Sequence, residues 1–398
     1  MMTYQEWKQK ADALSLDGRA FIAGQRANAA SNETFATLNP STGKVLADIA
    51  KCDTRDVDRA VAAAREAFES GVWSKAAPAQ RKAVLQRLAQ LIDDNAEELA
   101  LLEALEAGKP ISECLGLDIP ESAACIRWHA EVTDKRYDAL SPSGASVVSM
   151  ITREPIGVVG AVLPWNFPAL MLAWKIGPAL SVGNSVIVKP AEQTSLSTLR
   201  IADLALEAGL PAGVLNVVTG FGESAGQALG RHADVDLVAF TGSTETGKRF
   251  LRYSADTNLK RVVLECGGKN PQVVLPDVAN LDAVAEQAVA AAFWNMGENC
   301  SAGSRILVPS SLKASLLEKV LAVLEGWKTG DPLDPDVKLG SLIEERHFEK
   351  VLAHIEKAKA EGARLVCGGK ATRTDSGGWF VEPTIFDNVT PQMSIARD

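Results

Sequence analysis

Cys300 stands in Asn295-Met-Gly-Glu-Asn-Cys300-Ser-Ala-Gly-Ser304, among polar and glycine-rich neighbours rather than apolar ones. An isolated cysteine is more often a small buried hydrophobe, but this setting suits a partly exposed thiol on a turn, available as a nucleophile. Glu265, in Val262-Val-Leu-Glu265-Cys-Gly-Gly268, closes an apolar run just before two glycines. A carboxylate so placed can have its pKa raised and act as a general base on water; an ordinary ion pair with Lys269 is the alternative use. A Cys-His hydrolase would need a base, and none of the four histidines (129, 232, 347, 354) lies in a local signature that marks it as one.

Two glycine-rich segments add phosphate chemistry. Gly220-Phe-Gly222-Glu-Ser-Ala-Gly226 follows a strand-like run and opens a helix, but its spacing is one residue too long for a dinucleotide fingerprint, so a plain tight turn is as good a reading. Gly242-Ser-Thr-Glu-Thr-Gly247-Lys248 matches a P-loop up to the last position, where Arg249 replaces the hydroxyl that would ligate magnesium. A helix N-terminus that meets a phosphate without magnesium fits better.

These residues need a scaffold, and the chain supplies a strand-turn-helix alternation from residue 156, the mark of a parallel α/β sheet. Expected strands are Val158–Leu163, Ser185–Val188, Val214–Val218, Leu237–Phe240 and Arg261–Leu264, each ending in polar or glycine-rich residues where open sheets bind ligands. Upstream, Asp56–Ser70, the long run Ala79–Glu106 and Ile119–Lys135 read as helices, and Ser146–Thr152 as a β-like arm. After Asn270 a second α/β unit begins, with strands Gln272–Leu275 and Arg305–Val308 and helices Leu281–Asn295 and Leu312–Trp327.

Composition bounds the partners. With 398 residues, 46% hydrophobic and 23% charged, the chain reads as two or three folded domains. A net charge of −9 gives no field for holding nucleic acid or an anionic bilayer. No membrane span or secretory leader is expected, and six cysteines without a Cys-x-x-Cys suit free thiols in the cytoplasm.

Taken together, Pro164-Trp165-Asn166-Phe167-Pro168, Lys189-Pro190-Ala191-Glu192-Gln193-Thr194, Phe240-Thr241-Gly242-Ser243-Thr244-Glu245, Glu265-Cys-Gly-Gly-Lys269 and Gly297-Glu-Asn-Cys300 resemble the NAD(P)-dependent aldehyde dehydrogenase superfamily in order and spacing, over nearly the whole chain. Trp174-Lys-Ile-Gly-Pro-Ala-Leu180 and Gly213-Val-Leu-Asn-Val-Val-Thr-Gly-Phe-Gly222 are most similar to the branch that oxidises γ-glutamyl-γ-aminobutyraldehyde and related ω-amino or guanidino aldehydes. The resemblance implies an α/β fold with a Rossmann-type cofactor domain (residues 1–137 and 156–264), an oligomerisation arm (138–155) and a catalytic domain (265–398). It further implies assembly into a homo-oligomer.

The same resemblance assigns roles. Cys300 would be the nucleophile, Asn166 an oxyanion donor, Glu265 the base for water and Lys175 a proton relay, with a packing role for Lys175 as the alternative. NAD, with NADP possible, would lie against Leu163, Pro164, Trp165, Lys189, Glu192, Gly222, Phe240 to Gly247 (Phe240, Thr241, Gly242, Ser243, Thr244, Glu245, Thr246, Gly247), Cys266, His347 and Lys350. No metal is implied. Phe167, Met171, Trp174, Phe293 and Trp294 would wall the aldehyde tunnel, and Asp118 and Glu121 would hold a cationic tail. The chain ends at Asp398, before the place where relatives carry a Glu-Ile-Phe-Gly-Pro motif, so roughly a hundred further residues of catalytic domain are expected. A nucleotide-binding partner subunit without catalysis and a P-loop nucleotidase are the competing readings.

Overall fold

The computed structural model describes residues 2–398. Five parallel strands form the sheet in the spatial order Arg261–Cys266, Leu237–Gly242, Val158–Val162, Ser185–Lys189, Leu215–Val217. The chain winds outward from Val158–Val162 in one direction, then jumps back to lay Leu237–Gly242 on its other side. Strand order therefore reverses between these two strands, and a crevice opens at their carboxyl ends, the usual ligand position in open α/β sheets. Val158–Val162 is buried throughout because helices cover both faces: Val159 and Ala161 join one core cluster, Val158 and Val162 the other.

Two antiparallel strands, Ala20–Ile22 and Gln25–Ala27, extend the sheet beyond Leu215–Val217, making it mixed. At three residues each they are too short to announce themselves by periodicity. The helix expected over Asp56–Ser70 starts two residues earlier, at Thr54, because Asp53 accepts from Arg55 N–H and Asp56 closes the capping box, and it stops at Gly71 (φ 82°). The expected run Ala79–Glu106 is two helices, Pro78–Asp94 and Ala96–Ala107. Asn95 breaks it by turning its side-chain amide back onto Leu91 O at 2.7 Å.

The expected arm is a hairpin rather than a single strand. Ala139–Ser141 pairs antiparallel with Ser149–Ile151, and Leu140, Val148, Met150 and Ile151 are exposed. In the second unit Pro271–Val273 pairs parallel with Arg305–Leu307, and helices Leu281–Phe293 and Ser310–Leu324 bury a small separate core of Val274, Ala285, Ala288, Val289, Leu316 and Val320. The last strand of the main sheet continues through Glu265 to Cys266, past the expected boundary at 264. Later segments return to the first unit: Ile111 N–H donates to Pro332 O (2.7 Å), Ser341 N–H to Gly108 O (3.1 Å) and Trp379 N–H to Pro40 O (3.0 Å). No helix among the described residues is long and apolar enough to cross a membrane.

Candidate active site

Parallel register sets Thr241 beside Glu265 and Gly242 beside Cys266 at the sheet edge. Lys175, on the helix Pro168–Ser181, donates to Thr241 Oγ1 at 2.8 Å. Burial pushes its amine down to about 8, opposed by the negative charge of Glu265. Glu265 is exposed and forms no ion pair with Lys269 among the described residues, which leaves its carboxylate free for chemistry.

Cys300 is exposed at the end of an unusual loop. Asn295 (φ 53°), Met296 (φ 57°) and Gly297 (φ 77°) are consecutively left-handed. For the two non-glycine residues that conformation stores strain, which persists only when surroundings over-determine it. The surroundings are visible: Asn295 Nδ2 donates to Asn166 O (3.2 Å) and to Glu298 O (3.1 Å), and Asn270 Nδ2 donates to Cys300 O (3.0 Å). Asn166 Nδ2 donates to the same Glu298 carbonyl at 2.8 Å, which brings its amide within two residues of the thiol.

Beneath this loop lies a charged network that sequence reasoning missed. Lys109, 1% exposed, ion-pairs with Asp118, donates to Asn166 O at 3.3 Å and stands 3.9 Å from the centroid of the Phe167 ring. Against the burial that would discharge it, Asp118 holds Lys109 cationic. The expectation that Asp118 meets a substrate tail is therefore corrected: it is 0% exposed and committed to Lys109. Glu121 is exposed. Glu103 and Glu106, also fully buried, cap two helices, through Ala169 N–H (2.6 Å) and through Ser195 and Leu196 N–H (2.9 Å each). Burial pushes both carboxyls well upward. Glu103, Glu106 and Lys109, three apart in a segment that is otherwise apolar or small from Leu99 onward, were the available signal.

Three of the residues expected to line a tunnel pack together. Phe167, Met171 and Trp294 cluster, with Phe167 and Trp294 rings 5.2 Å apart, and Glu113 Oε2 accepts from Trp294 Nε1 at 2.9 Å. Trp174 is 56% exposed, and Phe293 packs on the second unit's core instead.

The expected cofactor residues divide into two groups. Lys189, 3% exposed, donates to Glu192 at 2.9 Å, and Glu192 remains half-buried at the mouth of the crevice. Ser243 caps the helix Thr244–Ala255, accepting from Thr246 N–H at 3.2 Å, and Thr244 is exposed beside it. Gly222 leaves open space where a Cβ would stand. Pro164 and Trp165 follow the central strand into the crevice, Trp165 lying against His347 at 5.4 Å between centroids; Lys350 is exposed on the same helix. These fit a dinucleotide: an acid for ribose hydroxyls, free first-turn amides for phosphate, a flat aromatic edge. The others are corrected. Phe240 turns into the core against Phe250 (5.0 Å), Leu163 is buried, Glu245 ion-pairs with Arg249, and Gly247 sits where a Cβ would crowd Leu264 at 3.3 Å, with Cys266 beside it. The buried Phe240 and Leu163 leave only backbone to a ligand, whereas the Glu245 side chain stays exposed.

The structure thus joins a strand-order reversal in an α/β sheet to an exposed carboxylate at Glu265 and an exposed thiol at Cys300. The aldehyde dehydrogenase family matches residues 27–398, and the chain belongs to it. It is 54% identical over 398 residues to an aminoacetaldehyde dehydrogenase of Pseudomonas aeruginosa, covering 100% of this chain and 79% of that one. To the NADP/NAD-dependent aldehyde dehydrogenase PuuC of Escherichia coli it is 48% identical, covering 98% and 78%. The solved structure of an indole-3-acetaldehyde dehydrogenase in complex with NAD+ superposes with a TM-score of 0.99 at 50% identity, covering 100% of this chain and 80% of that one.

Proposed function

We propose that the protein oxidises an ω-amino, γ-glutamylamino or guanidino aldehyde to its acid with NAD, NADP being possible. Cys300 attacks the aldehyde carbon as a thiolate, and the oxyanion receives the Asn166 side-chain amide and the Cys300 backbone N–H. NAD, when bound, supplies the hydride acceptor that makes the cysteine adduct a thioester. Glu265 then takes a proton from water as it attacks that thioester, and Lys175 passes the proton on. Glu192 and Lys189 hold the adenine ribose, and the opening turn at Ser243 the pyrophosphate. A carboxylate at Glu192 disfavours a 2′-phosphate, and Lys189 moderates that repulsion. With Asp118 withdrawn, the amine of the substrate is left to Glu121.

The observation that carries the reading is that Asn166 Nδ2 donates to the Glu298 carbonyl, two residues before Cys300, while Asn270, on the segment that follows Glu265, donates to Cys300 O. The names of the P. aeruginosa and E. coli relatives support the amino-aldehyde class and the choice of nucleotides. We read the exposed apolar hairpin of residues 138–155 as an assembly arm covered by a second copy, and the six free cysteines as fitting the cytoplasm. The test is turnover of NAD and 4-aminobutyraldehyde, followed by absorbance of the reduced nucleotide. Wild type turns over, and Cys300→Ala falls at least about a thousandfold while NAD still raises its melting temperature. Turnover that survives Cys300→Ala overturns the reading, and a protein protected by NAD with no turnover is a binding subunit instead.

A further inference from the structure

We infer that Glu298 is a positioning residue that joins the cofactor side of the crevice to the nucleophile, its side chain meeting His347 and its main-chain carbonyl holding Asn166. The inference rests on the roles proposed for Cys300 and Asn166. Glu298 is 8% exposed and lies two residues before the thiol. Its carbonyl accepts from Asn166 Nδ2 (2.8 Å) and Asn295 Nδ2 (3.1 Å), and its own N–H donates to Asn295 O (2.9 Å). Its side chain leaves in another direction: Oε1 accepts from Ile343 N–H at 3.1 Å and stands 3.4 Å from His347 Nε2. The His347 ring lies against Trp165, the residue before Asn166.

A buried carboxyl is expensive, and an apolar residue of similar volume would pack at less cost. The acid makes sense if its contact with the His347 helix has to be polar and adjustable. A separation of 3.4 Å is long for an aligned hydrogen bond, so an imidazole moved a few tenths of an ångström closes it. An occupant of the crevice bordered by Trp165 and His347 moves that ring. Glu298 transmits the change to the carbonyl on which Asn166 hangs and, two residues on, to Cys300. Burial raises the Glu298 carboxyl well above the usual range, with Lys109 opposing and Glu344 reinforcing the shift; burial, aided by Lys350, lowers His347. Glutamine has the same shape and keeps the Oε1 acceptor that faces Ile343 N–H and His347, whereas alanine removes it.

The test needs no aldehyde. The rate of Cys300 alkylation by iodoacetamide is measured by peptide mass spectrometry with and without saturating NAD, and melting temperatures report NAD binding. Wild type is expected to change rate on NAD binding by about fivefold or more, and Glu298→Gln to keep most of that change. Glu298→Ala is expected to hold it under about 1.5-fold while NAD still raises its melting temperature. A wild type indifferent to NAD, an alanine variant with the full response, or a glutamine variant as unresponsive as alanine overturns the inference. Should Glu298→Ala not fold, Glu298→Met fills the same buried space without the acceptor and carries the same comparison. Failure of the proposed reaction is read separately, as absent turnover with 4-aminobutyraldehyde.

Discussion

At the sheet edge, Glu265, Thr241 and Lys175 are held by parallel register and one helix, and the acid faces solvent with no ion-pair partner among the described residues. Cys300, by contrast, follows a loop of three left-handed residues pinned by side chains from residues 166, 270 and 295. Regular structure places a residue by local geometry, so its chemistry survives changes at a distance. The loop owes its shape to buried polar contacts far apart in sequence, and its chemistry is exposed to each of them. The two glutamates make the same contrast. Glu265 is open and available to water, whereas Glu298 is buried and occupied with Ile343 and His347.

The largest test of this contrast is Glu265→Gln, which removes the base without touching the register. We expect kcat to fall by about two to four orders of magnitude, with a first-turnover burst of reduced nucleotide retained and the melting temperature unchanged. A lost burst would place Glu265 before the thioester. Next, Asp118→Asn strands the Lys109 ammonium beneath the loop. It should cost about 3–5 kcal/mol in urea unfolding, while Lys109→Met combined with Asp118→Leu recovers most of that. If the double variant is no better than the single, the pair is not held by its charges.

The smallest effect concerns pH. Lys175 has its amine lowered to about 8 from an ordinary value near 10.5, so the fold disfavours its charged form. The native state therefore binds fewer protons than the unfolded chain between those values. The stability penalty is fully present below about pH 8 and is relieved as pH rises toward 10.5. In the proposed relay a neutral amine accepts the proton from Glu265, so kcat should climb through about pH 8 and level off. Lys175→Met should flatten that climb and lower the plateau by less than about tenfold. An unchanged profile would return Lys175 to packing on Thr241.

The sequence by itself determined the parallel sheet, the order of its ligand-bearing strand ends and the candidate thiol and acid, because hydrophobic alternation and turn residues are local. It placed the helix Thr54–Ser70 to within two residues, at Asp56, by its apolar face; the capping box at Asp53 and Asp56 came from the structure. It misjudged Asp118, since a charge at a helix start looks exposed until the fold places Lys109 beside it. Two short antiparallel strands, the break at Asn95 and the hairpin of the arm also escaped, each depending on pairing or on one back-turned side chain. Glu298 was visible two residues before Cys300, but its work needs Ile343 and His347, more than 40 residues away. Only tertiary structure decides such a site, because burial sets which charges are free to react and which are spent holding the chain, and burial is a property of what packs against a residue rather than of its neighbours in sequence.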